Sequence, residues 1–309
     1  MKLEGIHHIT AITGDAPGNV DFYVGTLGLR MVKKTVNQDD PTVYHLFYAD
    51  EHGSPGSDLT FFEYPGAAPG RAGAGMVHRI VWRVGALEAI DFWADRLDAR
   101  GVAAERVDGG LRFADPEGLG HELVVATVAD APLVGGAPDV PRELALQGFD
   151  GVRAYGQDPA RSESLLRDVL GFAGGEGGAW EVRGDERGGR YLYDAPPEGR
   201  PAPGAGTVHH VAFATRMDDH EAWRERVAAS GAHPTPVIDR FYFRSVYFRE
   251  PSGVLFELAT MGPGFGADED PEHLGERLSL PPRFESRRAD LERRLTPLRN
   301  PRAAERAGA

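Results

Sequence analysis

Four segments of this 309-residue chain follow one plan, and that repetition constrains the fold more than any other feature. Each opens on an alternating apolar stretch, at residues 5–13 (GIHHITAIT), 76–84 (MVHRIVWRV), 148–155 (GFDGVRAY) and 207–215 (TVHHVAFAT). Period-two alternation predicts strands with one buried face. Amphipathic helices are expected next, over 19–27, 88–100, 162–170 and 220–230. Each runs into a glycine (Gly28, Gly101, Gly171, Gly231) suited to the left-handed turn that closes a helix. Further strand-like runs finish each unit, as in 118–127 (GLGHELVVAT) and 253–260 (GVLFELAT).

The chain therefore reads as α+β, with four βαβββ modules of about 50–70 residues, each too small to bury a core alone. Modules must pair, which predicts two lobes. Pro138 and Pro141 in GGAPDVPREL mark a boundary. The expected division is an N-terminal lobe of modules 1 and 2 (1–140), a C-terminal lobe of modules 3 and 4 (141–265), and a tail (266–309). The tail opens on the acidic Asp268-Glu269-Asp270 cluster, and a helix is expected over 282–298.

Composition removes several chemistries. With no cysteine, disulfides, thiolate zinc sites, iron–sulfur clusters and cysteine nucleophiles are excluded, so any metal must sit on nitrogen and oxygen. A net charge of −13 and the lack of a basic stripe argue against nucleic acid. No apolar run is long enough for a membrane span, and the start MKLEGIHHIT lacks the pattern of a signal peptide, so the chain reads as cytoplasmic. Self-association into a homo-oligomer is left open.

Chemistry is expected where the repeats differ. Superposed opening strands place His8, Arg79, Gly151 and His210 at one position, and superposed closing strands place Glu122 opposite Glu257. A lone histidine on a half-buried strand is ordinarily structural. A His-His pair at equivalent places in two repeats, with a carboxylate embedded in VLFEL, is harder to explain that way, because a buried carboxylate is costly unless paired or metal-bound. Two imidazoles and one carboxylate form the facial set of non-haem Fe(II) oxygenases; Mn(II) accepts the same ligands. His8, His210 and Glu257 are thus the expected metal ligands, which requires module 1 to lie against module 4. Modules 2 and 3 lack a complete set, and Glu122 can simply pair with Arg79. Strand alternation points His7 and His209 away from their neighbouring ligands, toward packing or supporting roles. Thr10 shares a face with His8. Arg240 and Tyr247, from the aromatic stretch DRFYFRSVYFR, are candidates for anchoring an anion and moving a proton. His45 and His121 read as core or rim residues, and His52, His78, His220, His233 and His273 as surface, turn or helix positions.

The stretches GIHHITAITG, VKKTVNQDDP, GTVHHVAFAT and YFREPSGVLFE together resemble the vicinal oxygen chelate superfamily, which includes glyoxalase I, bleomycin-resistance proteins and extradiol dioxygenases. Within it the chain is most similar to hydroquinone-type ring-cleaving dioxygenases, over nearly its whole length. This resemblance implies one Fe(II) on His8, His210 and Glu257, with His7, Thr10, His209, Arg240 and Tyr247 lining or supporting the pocket. It further implies an aromatic diol, such as a hydroquinone or catechol, and O2 as substrates, with the ring opening through a lactone. Two other functions are available to the scaffold. A glyoxalase-like isomerase or lyase usually needs a second carboxylate, for which Glu63 is the obvious residue in module 1. A non-catalytic aromatic or drug binder would not need the ligand set.

Overall fold

The computed structural model describes residues 1–299 and 301. Module 1 contributes β1 (Ile6–Thr13), β2 (Arg30–Val36), β3 (Tyr44–Ala49) and β4 (Asp58–Glu63). Module 2 contributes β5 (Met76–Val84), β6 (Ala104–Val107), β7 (Gly110–Ala114) and β8 (Gly120–Val125). In module 3 these are β9 (Phe149–Tyr155), β10 (Ala173–Gly174), β11 (Ala179–Arg183) and β12 (Gly188–Asp194). Module 4 supplies β13 (Thr207–Thr215), β14 (Ile238–Asp239), β15 (Arg244–Arg249) and β16 (Leu255–Thr260). Four βαβββ modules in an α+β fold are what the repeats predict.

The strands form two eight-stranded mixed sheets, ordered β14-β15-β16-β13-β1-β4-β3-β2 and β10-β11-β12-β9-β5-β8-β7-β6. Each sheet therefore joins one module from each half of the chain, 1 with 4 and 2 with 3. The sheets do not follow the sequential grouping of 1–140 and 141–265. The reason is edge pairing: β1 and β13 run antiparallel as central neighbours, and β5 and β9 do the same. This seam brings β1 to β13 as the ligand set requires. Register repeats as well. Thr10 faces His210 across one seam and Val81 faces Gly151 across the other, so the superposition of modules read from sequence holds in space.

Module 1 carries the short α1 (Ala16–Val20), and the helices in modules 2 and 4 are regular, α2 (Leu87–Ala99) and α3 (His220–Ala229). In modules 1 and 3 they start earlier than expected, at Ala16 and Pro159, and end in wide turns closed by Leu27 N–H donating to Phe22 O and Leu170 N–H to Leu165 O. Gly28 and Gly171 then take positive φ of 70° and 76°, as expected of residues just past a helix end. The tail helix is a 3₁₀ turn at Pro282–Arg287 leading into α4 (Arg288–Arg294). It stops short of Leu298 because Thr296 precedes Pro297, a position that disfavours helix. Residues 300 and 302–309 of the expected tail lie outside the described residues. No helix among those described is long and apolar enough to cross a membrane.

One large apolar core includes Val211, Phe213, Phe256 and Leu258. A second, smaller cluster contains Ala212 and Ala259 from the alternate positions of the same strands, with Val32, Phe47, Phe243 and Phe265. The second cluster therefore lines the other face of the first sheet. There the sheet forms a cup, and the candidate site lies in it.

Candidate metal centre

His8 from β1, His210 from β13 and Glu257 from β16 meet in the cup, with exposures of 1%, 3% and 0%. Among the described residues they are the one group of His, Asp and Glu side chains placed to hold a metal ion. Glu257 Oε2 lies 2.8 Å from His210 Nε2 and 3.2 Å from His8 Nε2, and the two nitrogens are 3.3 Å apart. Bonds of about 2.1 Å at right angles would put neighbouring donors about 3.0 Å apart, so the spacing suits one face of an octahedral first-row ion.

Alternation misplaced the first histidine of each pair. Ile6 and Ile9 both belong to the large core although three residues apart, and so do Val208 and Val211. The register of β1 against β13 is broken between Ile6 and Ile9 and again between Thr10 and Ala11. A bulge adds a residue to one strand and re-aims its side chains. Both members of each His-His pair consequently share the cup side. His7 Nδ1 sits 2.9 Å from His8 Nδ1, and His209 Nδ1 2.7 Å from His210 Nδ1.

The contacts of His7 fix the tautomer of His8. Burial pushes His7 down to about 3, so the ring is neutral. Its Nε2 lies 3.2 Å from the Thr260 carbonyl, which can only accept, so that nitrogen carries the proton. His7 Nδ1 is then bare and accepts from His8 Nδ1–H, leaving His8 Nε2 as a lone pair aimed at Glu257. Burial also holds His210 below its ordinary value. Both ring nitrogens face Glu257 Oε2, and no other side chain or backbone group reaches the carboxylate. Burial pushes the Glu257 carboxyl up, while positive charge at His8 and His210 pulls it well below the usual range. A metal ion among these three donors supplies such charge without protonating the rings. The donor set fits a metal ion.

Above the three ligands the cup is walled by Phe47, Phe62, Phe243, His45, Tyr247 and Arg240. Phe243 packs on both His8 and His7, with ring centroids 5.1 and 5.4 Å apart. Tyr247 packs edge-on to His210 at 5.6 Å, and burial first, then Glu257, raise its hydroxyl far above the ordinary value, so it stays protonated. The Arg240 guanidinium lies over the Tyr247 ring and forms a two-pronged pair with Asp39, both contacts 2.9 Å. The enclosed space is about 30 Å³, enough for a water or two. An aromatic ring is admitted only when this wall gives, and the Arg240–Asp39 pair spans module 4 and module 1 at its rim.

Other expected positions sort differently. Thr10 is buried and its hydroxyl bonds that of Thr60 at 2.8 Å. Glu122 is engaged by Arg79 at 3.3 Å and Arg112 at 3.0 Å. Glu63 receives the Thr296 hydroxyl at 2.7 Å and is outside the ligand group. Register explains its absence. Ala212, two residues beyond His210, pairs with Glu257, whereas Thr10, two beyond His8, pairs with Thr60. The counterpart of Glu257 in module 1 is thus Thr60, and no second carboxylate stands there. His220 does open a helix, α3, though it is 2% exposed, whereas His78 lies in β5 and stacks on Tyr155 at 3.8 Å. His45, read as core or rim, lines the cup. Its place on the cup face of β3 follows only from pairing with β4.

Residues 5–123 and 148–258 match the profile of the Glyoxalase/Bleomycin resistance protein/Dioxygenase superfamily. The chain is 38% identical over 318 residues to a Bacillus subtilis (strain 168) protein named "Putative ring-cleaving dioxygenase MhqA", covering 96% of this chain and all of that one. It is 33% identical over 317 residues to the chlorohydroquinone/hydroquinone 1,2-dioxygenase of Sphingobium indicum, covering 95% of this chain and 96% of that one. A crystal structure described as a "putative dioxygenase" from Bacillus subtilis superposes with a TM-score of 0.90 at 38% identity, over 96% of this chain and 98% of that one.

Proposed function

The chain belongs to the glyoxalase/bleomycin resistance/dioxygenase superfamily, and we propose that it is an Fe(II)-dependent, extradiol-type ring-cleaving dioxygenase acting on an aromatic diol, a hydroquinone or a catechol. The observation that carries this reading is the buried two-histidine, one-carboxylate set with donor separations of 2.8–3.3 Å. Relatives named for ring cleavage, hydroquinone among their substrates, support the aromatic diol. Thr60 at the position matching Glu257 counts against a glyoxalase-like isomerase, which would want a second carboxylate there. A merely sequestering protein would have no use for three converging ligands.

His8, His210 and Glu257 would hold the metal; Mn(II) satisfies the same donors. When bound, the ion supplies a place for a substrate oxygen and for O2, and a route for electrons between them. The chain's own residues do the rest. Phe243, Phe47 and Phe62 offer apolar faces to a ring and keep water out. Tyr247, protonated beside His210, donates to negative charge developing on oxygen. Arg240, once released from Asp39, brings a fixed positive charge to the same place. His209, in contact with His210 Nδ1, orients that ligand and accepts a proton at its other nitrogen. Thr10 ties β1 to β4 through Thr60.

Anaerobic reconstitution with Fe(II), followed by addition of hydroquinones and catechols in an oxygen electrode, should give uptake of one O2 per ring opened. Stoichiometric metal without uptake on any aromatic diol would overturn the assignment. Replacing His7 by Phe removes the acceptor that fixes the His8 tautomer. It should weaken metal affinity by about 10–100-fold, read by competition with a chelator. Unchanged affinity would show that His7 is packing only.

A further inference from the structure

Resting on the ring-cleaving reading, we propose that His45 is a specificity residue, the partner for a second hydroxyl on the ring placed across from the oxygen at the metal site. The substrate class it selects is the 1,4-diol over the 1,2-diol and the monophenol. The argument begins with the polar atoms of the cup. Asp39 and Arg240 are committed to each other. Gln38 donates to the Arg240 carbonyl at 2.5 Å and accepts from Arg283 at 2.8 Å, and the Tyr242 hydroxyl donates to Asp268 at 2.9 Å. His45 is different. Its Nε2 is held 2.9 Å from the Thr60 hydroxyl, which fixes the ring, and its Nδ1 has no protein partner. Opposite it in β2, Thr35 presents a buried hydroxyl that bonds that of Tyr242.

His45 stands apart from the ligand group, on β3 and separated from β1 by β4. Both oxygens of a 1,2-diol stay on the metal side of the ring and cannot use it. A 1,4-diol has one oxygen for the metal and one on the far side, where a buried hydroxyl without a partner would be costly. Phe47 and Phe62 flank the imidazole, with ring centroids at 4.0 and 4.4 Å, so the polar atom sits between the faces that would sandwich a ring. Thr60 adds flexibility of role. Its hydroxyl lies within bonding distance of both His45 and Thr10, 2.9 and 2.8 Å, and can donate to only one. Rotation of that hydroxyl lets His45 Nδ1 be acceptor or donor without moving the ring, so the same residue serves a hydroxyl or a carbonyl oxygen.

The test uses the full chain loaded with Fe(II) under anaerobic conditions, titrated with hydroquinone and with 4-methylphenol, which keeps one oxygen and replaces the other by methyl. Wild type should bind hydroquinone about tenfold more tightly than 4-methylphenol. His45→Phe and His45→Leu should bring the two affinities together, while His45→Gln, which keeps a polar group, should retain most of the difference. Metal content, measured alongside, separates this from damage to the ligand set, and two apolar variants guard against one packing badly. If wild type prefers hydroquinone and His45→Leu keeps the full preference, this inference falls and the ring-cleaving reading stands. If wild type neither binds hydroquinone nor consumes oxygen with it, both fall.

Discussion

Glu257→Gln should yield a folded protein that no longer retains its metal. The carboxylate supplies the single negative charge of the ligand set and is fully buried, so no water or neighbouring acid can replace it. Glutamine keeps the shape, but it is neutral and offers one weaker oxygen. The loss of a charged ligand should lower metal content after desalting to a small fraction of wild type, and oxygen uptake by about a thousandfold or more, the scale of several kcal/mol of lost stabilisation. The metal-free proteins should differ far less. Without metal, the buried carboxylate keeps its contacts with His210 and His8, at 2.8 and 3.2 Å, which hold it well below the usual range, so the neutral variant should melt somewhat lower than wild type. Full metal content in Glu257→Gln would remove Glu257 from the centre.

Lys33→Ala should cost more stability than any surface substitution. Lys33 is 0% exposed on β2, and its ammonium donates to the Phe265 carbonyl at 3.1 Å, Asp268 at 2.7 Å and Glu269 at 2.5 Å. It also lies over the Tyr242 ring at 4.7 Å. Removing one partner of a buried pair leaves the other charge uncompensated, at about 3–5 kcal/mol, or a fall in Tm of roughly 5–15 °C for a chain of this size. The damage should reach the cup. Gly264 N–H donates to the Tyr242 carbonyl at 2.8 Å, and Tyr242 precedes Phe243, which packs on His7 and His8. KM for the diol should therefore rise along with the loss of stability. A triple variant, Lys33→Met with Asp268→Asn and Glu269→Gln, should recover most of the melting temperature, because no buried charge is left alone. A single variant that melts within about 2 °C of wild type would show that the tail is not held by this lysine.

The acidic Asp268-Glu269-Asp270 cluster illustrates what a linear reading leaves out. By composition it is a solvated run in a tail rich in proline and glycine. Its purpose depends on Lys33, more than 230 residues earlier, and no local pattern joins the two. The bulges at the His-His pairs are a second case. Period-two alternation is a sound rule for a regular strand, but a single added residue reverses it, and the partner strand that forces the addition is 200 residues away. His45 is a third case, an ordinary strand histidine until β4 places Thr60 beside it.

Some properties needed no coordinates. Repetition of apolar period, helix-ending glycines and closing strands determined the modules, because side-chain alternation and helix termination are local physics. Comparing the repeats also singled out His8 and His210, the positions where two modules carry histidine and the others do not, with Glu257 as the carboxylate beside one of them. Which module lies against which was decided by tertiary structure, through the antiparallel seams that join 1 to 4 and 2 to 3. The same seam, with its bulges, brought His8 and His210 together beside Glu257 and set His7 against His8 and His209 against His210. Convergence is a property of strand pairing across the chain, and pairing depends on the shape of both partners at once.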